Sequence, residues 1–464
     1  MSNTPTEKDG AIYDAKQLGM PKMLVLGLQH MFAMFGATIL VPILVNSYFH
    51  GEGLSIQVTL FFAGVGTLFF HICAKLKVPA FLGSSFAFLG GFATVAELNS
   101  GIFANMTYGE KLPYACGGIV VAGLLYLVLA LVIRLVGVKR VMRFLPPVVT
   151  GPIIICIGLS LAGSAINNAQ TNWFLALVAL IVIIVFNIWG KGMFKIIPIL
   201  MGVLISYAVA LAMQFAGMTN PDGSTIIDFT STASSAWVGL PDFILCKFNL
   251  TAILVMAPIA IATMMEHIGD MSAISATVGE NFLEDPGLHR TLIGDGLATA
   301  LSAFFGGPAN TTYGENTGVL ELSRVFDPAV IRIAAVYAVV LSFVPKFASI
   351  IGSMPASIIG GVSFILYGMI SAIGIRNVVE NRVDLTNSRN LIIAAVILVC
   401  GLGFSSGLTF EIAGTSITLT SLAIASIAGV LLNAILPGND YEFGVSPEGD
   451  MNRGVTLKAR HRQD

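Results

Sequence analysis

Long apolar runs with almost no charge recur from residue 22 to residue 436, and they limit the fold more than any other feature. A helix needs about 20 apolar residues to cross a bilayer. Only 11% of the 464 residues are charged, whereas soluble domains carry roughly 25%. The chain is therefore predicted to be an all-α polytopic membrane protein. We predict fourteen transmembrane segments, near 22–46, 54–74, 78–98, 113–137, 145–163, 173–190, 195–217, 250–270, 291–305, 307–325, 329–351, 354–374, 389–405 and 417–436.

Lysine and arginine orient these segments, because cytoplasmic loops collect them. If the N-terminus is inside, all but three of the 24 lysines and arginines fall on the inner side; the exceptions are Lys111, Lys247 and Lys346. We therefore expect a multi-pass protein of the cell (inner) membrane with both termini cytoplasmic and the loop 218–249 outside. The net charge of −2 and the lack of a basic tract argue against a nucleic-acid partner.

The two halves of the chain share a sequence pattern. "PPVVTGPIIICIGLSLAG" (146–163) resembles "PASIIGGVSFILYGMISAIG" (355–374), and each stretch has a glycine five residues after its first proline. These are segments five and twelve, seven apart, so the halves would have opposite topology in the membrane. Inverted repeats are typical of secondary transporters, which bind substrate near the midplane at discontinuous helices.

Segments three and ten each contain an interruption. "AFLGSSFAFLGG" (80–91) breaks the apolar pattern of segment three, and the polar stretch "PANTTYGENTG" (308–318) breaks segment ten. Non-helical backbone at membrane depth is tolerated only where protein or a water-filled cavity satisfies it. We expect the two breaks to face each other across a cavity. The alternative is that both are loops between short helices.

Two of the acidic residues in these apolar segments are candidates for ligand binding. Glu266 is in segment eight, and Glu315 is at the break of segment ten. Ionisable groups are costly in a membrane and usually functional. Ionised carboxylates near the midplane accept N–H bonds from a neutral ligand. Desolvation and mutual repulsion disfavour two charges, so we expect proton binding near neutral pH.

Other polar residues at membrane depth leave two interpretations open. Gln29 and His30 in segment one either serve the site or only hydrogen-bond between helices. Asp270, one turn after Glu266, is either part of a proton relay or a charge at a helix end. Asp295 is expected to be an interhelical hydrogen-bond partner.

Five motifs carry a resemblance to the uracil permeases of the nucleobase–ascorbate transporter family, also called nucleobase:cation symporter-2. They are "LQHMFAMFGATILVP", "VPAFLGSSFAF", "EHIGD", "DPGLHR" and "NTTYGENTGV", and the likeness covers about 20–440. The resemblance implies fourteen segments in two inverted repeats of seven, with short antiparallel strands in segments three and ten.

The resemblance also implies a core domain, a gate domain and two cytoplasmic tails. Each domain would be assembled from two stretches of chain, one from each repeat. The core domain would comprise 22–144 and 250–352, and the gate domain would comprise 145–249, which includes the external loop, and 353–436. The tails would be 1–21 at the N-terminus and 437–464 at the C-terminus.

The same resemblance implies a set of substrate-binding residues. Glu266 and Glu315 would hydrogen-bond the base, and the backbones of Phe86 and Gly314 would add contacts. The apolar wall would consist of Ala37, Tyr313, Pro355 and Tyr367. Supporting residues would be Gln29, His30, Ser85 and Asn316. Candidates for proton coupling are Glu315, Glu266, His267 and Asp270.

One position departs from the family pattern and leaves the proton relay open. Some uracil permeases carry a histidine where this chain has Asp270. His267 is nearby in sequence, directly after Glu266, but lies about 100° round the helix from it, so it is not a simple substitute.

The predicted function is import of uracil by proton symport, with alternating access between core and gate domains. A carboxylate at Glu315 suits a pyrimidine, which offers ring N–H donors. The resemblance also implies a homodimer through the gate domain, and no cofactor or metal is expected. Alternatives are a permease for xanthine or thymine, an anion exchanger of sulfate-transporter type, or a membrane sensor. An enzyme is disfavoured because the sequence contains no nucleophile–base pair or metal cluster. An ATP-driven pump is excluded because the sequence contains no nucleotide-binding loop.

Overall fold

The computed structural model describes residues 11–405, 407–412, 415–438 and 441. Most of the two tails predicted to be cytoplasmic, 1–10 and 442–464, lies outside the described residues. The described chain is mostly helical, with two pairs of short strands.

The first half of the chain contains the following helices and strand, numbered in chain order: α1 (Met20–Tyr48), α2 (Ile56–Cys73), β1 (Leu82–Ser84), α3 (Leu89–Ala96), α4 (Tyr108–Val136), α5 (Val138–Met142), α6 (Pro147–Ser160), α7 (Ala162–Ala169), α8 (Trp173–Trp189), α9 (Met193–Ile196) and α10 (Pro198–Phe215). A short helix, α11 (Thr230–Ser234), lies in the loop that joins the halves.

The second half contains α12 (Leu250–Met256), α13 (Ala260–Val278), α14 (Leu288–Phe304), β2 (Asn310–Thr312), α15 (Gly314–Ser323), α16 (Pro328–Ser342), α17 (Pro345–Gly352), α18 (Ala356–Glu380), α19 (Ser388–Gly403), β3 (Leu408–Ile412), β4 (Thr415–Leu419) and α20 (Ser421–Ile435). Single helical turns occur at Ala15–Leu18, Gly101–Phe103, Ala257–Ile259 and Leu283–Gly287.

Seven helical stretches among the described residues are long and apolar enough to cross a membrane, and α16 with α17 would make an eighth. The chain is therefore a multi-pass membrane protein. The other crossings predicted from sequence would have to be made by shorter helices and by the strand–helix segments three and ten. The seven stretches are Met20–Tyr48, Ile56–Cys73, Tyr108–Val136, Pro147–Ala169, Pro198–Phe215, Leu250–Val278 and Ala356–Glu380.

Strands β1 and β2 occupy the two interruptions seen in the sequence. They pair antiparallel, with Gly83 opposite Thr311. Two further bonds extend the ladder, from Ser85 N to Ala309 O (2.8 Å) and from Tyr313 N to Phe81 O (3.0 Å). This pairing satisfies backbone groups that a broken helix leaves free, which lipid would not do.

The helices pack in two groups. In one group α2 packs against α14 and α16, α4 packs against α14, and α1 packs against α16. In the other, α6 packs against α18 and α19, α8 against α10, and α19 against α20. The α4–α14 crossing is close because Gly123 and Gly296 face each other, and a Cβ on either would overlap the other's carbonyl oxygen. Small residues at a crossing allow this approach in membrane proteins.

Two predicted segments differ from the structure. The sequence predicts segment eleven as one span over 329–351, but α16 and α17 meet at 87°. Pro345 explains the bend, because a residue before proline is driven out of the α region, and Val344 has φ −115° and ψ 84°. The sequence predicts that segment fourteen begins at 417, which lies within strand β4, whereas its helix begins at Ser421. Strands β3 and β4 form an antiparallel hairpin that the sequence analysis does not predict.

Candidate functional site

A small cavity of about 40 Å³ lies where β2 meets helices α6, α13, α15 and α18. Helix α13 and the start of α15 supply its acidic residues, and α6 and α18 supply aliphatic ones. The lining residues are Phe86, Ile154, Glu266, Asp270, Thr311, Thr312, Tyr313, Gly314, Glu315, Ile370 and Ile373.

Three carboxyl groups converge on this cavity because of local structure. Glu266 and Asp270 are four residues apart on α13 and so lie on one face of that helix. Glu315 is in the first turn of α15, directly after the strand. The N-terminus of a helix favours negative charge and presents unpaired backbone N–H groups. The cavity thus combines acceptor carboxylates with donor amides.

The hydroxyl of Thr312 holds one of these carboxyls. Thr312 Oγ1 donates to Asp270 Oδ2 at 2.6 Å. By contrast, the buried Oε2 of Glu266 and the Oγ1 of Thr311 have no hydrogen-bond partner among the described residues. Buried polar atoms are normally paired. Glu266 and Thr311 therefore offer free hydrogen-bonding capacity at the cavity.

A second network fixes the strands to helix α1. Tyr313 Oη donates to the carbonyl of Ser84 at 2.8 Å, and Ser84 Oγ donates to the carbonyl of Thr38 at 2.8 Å. A Cβ added to Gly83 would overlap the Tyr313 ring and crowd Thr38 Oγ1. Glycine at 83 therefore permits the tyrosine to lie close against β1.

The predicted apolar wall is only partly at the cavity. Phe86 and Tyr313 line it. Tyr367 contacts the Phe86 ring edge-on, with centroids 5.9 Å apart, but is not among the lining residues. Ala37 and Pro355 are buried elsewhere. The contact between Phe86 and Tyr367 joins the segment after β1 to α18.

The remaining predicted residues lie around the site rather than in it. Asn316 Nδ2 donates to the His30 carbonyl at 3.0 Å and lies 3.2 Å from His30 Nδ1, so this pair ties α15 to α1. Gln29 is half-buried, and Ser85 is buried with its Oγ unpaired among the described residues.

The imidazole of His267 faces Asp295 on α14, whereas a proton relay at the cavity would need it to face the cavity carboxyls. Its Nδ1 lies 3.0 Å from Asp295 Oδ2, and both side chains are fully buried. The pair joins α13 to α14, and neither residue lines the cavity.

Sequence reasoning misses five of the lining residues. Thr311 and Thr312 lie inside the break in segment ten, close to Glu315 in sequence, and this position could have identified them as lining residues. Ile154, Ile370 and Ile373 lie in the two related stretches that indicate the repeat. Their apolar character gives no reason to select them from their neighbours.

Comparison with known proteins places the chain among permeases. A family model described as "Permease family" matches residues 21–410. The chain is 41% identical over 430 residues to a uracil permease of Bacillus caldolyticus, covering 89% of this chain and 92% of that protein. It is 39% identical over 429 residues to a uracil permease of Bacillus subtilis, with coverages of 88% and 91%. The "Putative pyrimidine permease RutG" of Escherichia coli is 36% identical over 441 residues, with 94% of each chain covered.

Solved structures share the fold at low sequence identity. The transmembrane domain of the cyanobacterial bicarbonate transporter BicA superposes with a TM-score of 0.60 at 14% identity, covering 90% of this chain and 99% of that one. SLC26A9 superposes with a TM-score of 0.63 at 12% identity, with coverages of 91% and 66%. These similarities concern the fold alone.

Proposed function

Because this chain belongs to the Permease family and is a transporter rather than an enzyme, we propose that it carries uracil across the cell membrane together with protons. The observation that carries the proposal is the cavity beside β2, where acidic side chains and the N-terminus of α15 meet. The names of the curated relatives support uracil as the substrate.

The donor and acceptor pattern of the cavity fits uracil. Uracil has two ring N–H donors and two carbonyl acceptors. Glu266 Oε2, which is free of partners within the described chain, would accept one ring N–H. Backbone N–H groups at Gly314 and Glu315 would donate to a carbonyl. Phe86 and the aliphatic side chains of α6 and α18 would cover the faces of the ring.

The same carboxyls provide a means of coupling to protons. Glu315 would bind the proton, because its neutral form donates to a base carbonyl whereas its ionised form repels it. Glu266 and Asp270 line the same cavity and would set the electrostatic cost of a further negative charge there. His267 is less suited to the role than these carboxyls are, since its imidazole faces Asp295.

We also propose fourteen crossings arranged as two inverted repeats. The packing supports this arrangement: the contact of α2 with α16 has its repeat counterpart in the contact of α14 with α4. Likewise, the pair α8 and α10 corresponds to the pair α19 and α20. Strands β1 and β2 are counterparts that pair with each other.

Alternating access would follow from movement between two domains. The core domain would comprise 22–144 and 250–352, and the gate domain 145–249 and 353–436. The cavity receives Glu266 and Glu315 from the core and Ile154 and Ile370 from the gate. A shift of the gate would therefore open it. We also propose that the protein forms a homodimer through the gate domain. Both termini would lie in the cytoplasm.

A permease for xanthine or thymine would share most of these features. Competition between substrates must therefore distinguish among uracil, xanthine and thymine. An anion exchanger is favoured only by the fold shared with the bicarbonate transporter. Acidic residues at the cavity oppose an anionic substrate.

The test is uptake of radiolabelled uracil into proteoliposomes with and without an imposed pH gradient. We expect accumulation only with the gradient, and stronger competition by unlabelled uracil than by xanthine or thymine. Uptake that ignores the gradient would refute proton symport. Stronger inhibition of uptake by xanthine, thymine or bicarbonate than by unlabelled uracil would show that the stronger inhibitor, rather than uracil, is the substrate.

A further inference from the structure

A second cavity, of about 210 Å³, also reaches Glu315. It lies between α1, α15, the start of α10 and α18, and we call it the α15 crevice. Its lining is mostly apolar and includes Phe32, Gly318 and Leu322; its polar side chains are Asn187, Lys195 and Glu315. Glu315 is the one lining residue that these two cavities share. Its carboxyl therefore stands between the proposed substrate cavity and a separate space.

The crevice follows one face of α15. Glu315, Gly318 and Leu322 are spaced three and four residues apart, so they lie along the same side of the helix. A Cβ built on Gly318 meets no atom within 4 Å. This open space begins one turn beyond Glu315. A water molecule needs a space of about 10–15 Å³, so the crevice has room for several.

The far end of the crevice is polar. Asn187 and Lys195 are both exposed there, near the end of α8 and in α9. The positive-inside rule places Lys195 at the cytoplasmic face. The crevice thus runs from Glu315 at the proposed substrate cavity to a charged, exposed end.

We propose that the α15 crevice is the route by which the proton bound at Glu315 leaves for the cytoplasm, separate from the route of the nucleobase. This inference rests on the proposed symport. In the step, the carboxyl O–H bond of Glu315 breaks and its electron pair stays on the carboxylate. The proton passes to water in the crevice and so to the bulk. No group is oxidised or reduced in this step.

Other charged or titratable groups surround Glu315. Glu266, Asp270 and Tyr313 line the cavity on one side, and Lys195 lines the crevice on the other. His30 is linked to α15 through Asn316. Glu315 thus has acidic neighbours on the substrate side and a basic residue on the crevice side.

The test is Gly318→Leu, which fills the crevice without meeting a neighbouring atom at its Cβ. Gly163→Leu is the matched control, because Gly163 is also a helical glycine whose Cβ would meet nothing within 4 Å, and it lies on α7, which lines neither cavity. Three quantities are measured in proteoliposomes that contain a pH-sensitive dye: uracil affinity, exchange of labelled for unlabelled uracil without a gradient, and proton flux on uracil addition. Exchange requires passage of uracil but not release of its proton.

We expect Gly318→Leu to keep affinity and exchange within about twofold of wild type and to slow uracil-driven proton flux at least tenfold. The Gly163→Leu control should change none of these. Proton flux at the wild-type rate would overturn the proposal, as would equal loss of exchange, because the crevice would then carry the nucleobase. If the leucine variant does not fold, Leu322→Trp obstructs the same crevice nearer its exit and is judged by the same outcomes. Absence of uracil-driven proton flux in the wild type would instead refute the proposed symport.

Discussion

Thr312 Oγ1 donates a 2.6 Å hydrogen bond to Asp270 Oδ2, and this bond fastens strand β2 to helix α13. The bond lies among the carboxyls of the cavity, between the helix that carries Glu266 and the residue that precedes Tyr313. This hydroxyl is thus one direct link between the strand and the helix.

Thr312→Val removes that donor while keeping the shape of the side chain. We expect a loss of stability of about 1–3 kcal/mol, the cost of leaving a buried acceptor unpaired, together with weaker uracil binding. Thermal unfolding in detergent, with and without uracil, measures both effects. Thr94→Val is the control, because Thr94 Oγ1 donates to the carbonyl of Gly90 within its own helix, and substitutions away from buried networks stay within about 0.5 kcal/mol. Equal unfolding temperatures for the two variants would show that the bond to Asp270 contributes nothing.

Glu266→Gln is expected to weaken uracil binding roughly ten- to hundredfold. A hydrogen bond to a charged group contributes about 1.5–3 kcal/mol, and glutamine keeps the size of the side chain but not the charge. Isothermal titration calorimetry of the purified protein measures the change. Glu280→Gln serves as a control, since Glu280 lies beyond the end of α13 and is exposed. Unchanged affinity in Glu266→Gln would remove this residue from the site.

The two glycines at the strand pair are predicted to differ. Gly83→Ala would force a methyl group into the Tyr313 ring and Thr38, whereas a Cβ on Gly314 approaches only Ile373 Cδ1, at 3.4 Å. We expect Gly83→Ala to lower transport at least tenfold and Gly314→Ala to lower it about threefold or less. Both variants should insert in the membrane in wild-type amounts. Uptake rates normalised to protein amount test this order, and the reverse order would contradict it.

Glu315→Gln is predicted to bind uracil but to lose the dependence of binding on pH. For the wild type we expect affinity to fall as pH rises and Glu315 ionises, because the ionised carboxyl repels a base carbonyl that the neutral form would bond. Glutamine mimics the neutral donor at every pH, so proton-driven accumulation should also be lost. Affinity measured from pH 5 to pH 9 for both proteins decides the matter. If the variant retains the wild-type dependence, Glu266 or Asp270 carries the proton.

The sequence is informative where composition changes sharply. The clusters Gly83–Ser84–Ser85 and Asn310–Thr311–Thr312 interrupt apolar runs, and the paired strands form there. Glu266 and Glu315 stand out because carboxyls are rare in such runs, and both line the cavity. Local chemistry of this kind can be identified without knowledge of the fold.

Sequence reasoning fails where the decisive fact is a long-range contact or a local competition. Whether His267 faces the cavity or Asp295 depends on where α14 packs, which no pattern on α13 indicates. Strand β4 resembles the start of a transmembrane helix because "TSITLT" is apolar enough to extend the run, although its β-branched residues favour strand. The bend in segment eleven has a visible cause in Pro345, but the apolar residues on both sides of Pro345 and Lys346 lead to the prediction of one span over 329–351.

The pairing of Gly83 with Thr311 also has a consequence for biosynthesis. Strand β1 leaves the ribosome long before β2 exists, since residues 85–309 separate the two strands in sequence. Until then its backbone donors and acceptors lack their final partners, at a depth where lipid offers none. The first half of the chain must therefore wait in a partly hydrated or sheltered state during insertion. The cavity beside β2 is completed late, when the second half arrives and β2 pairs with β1.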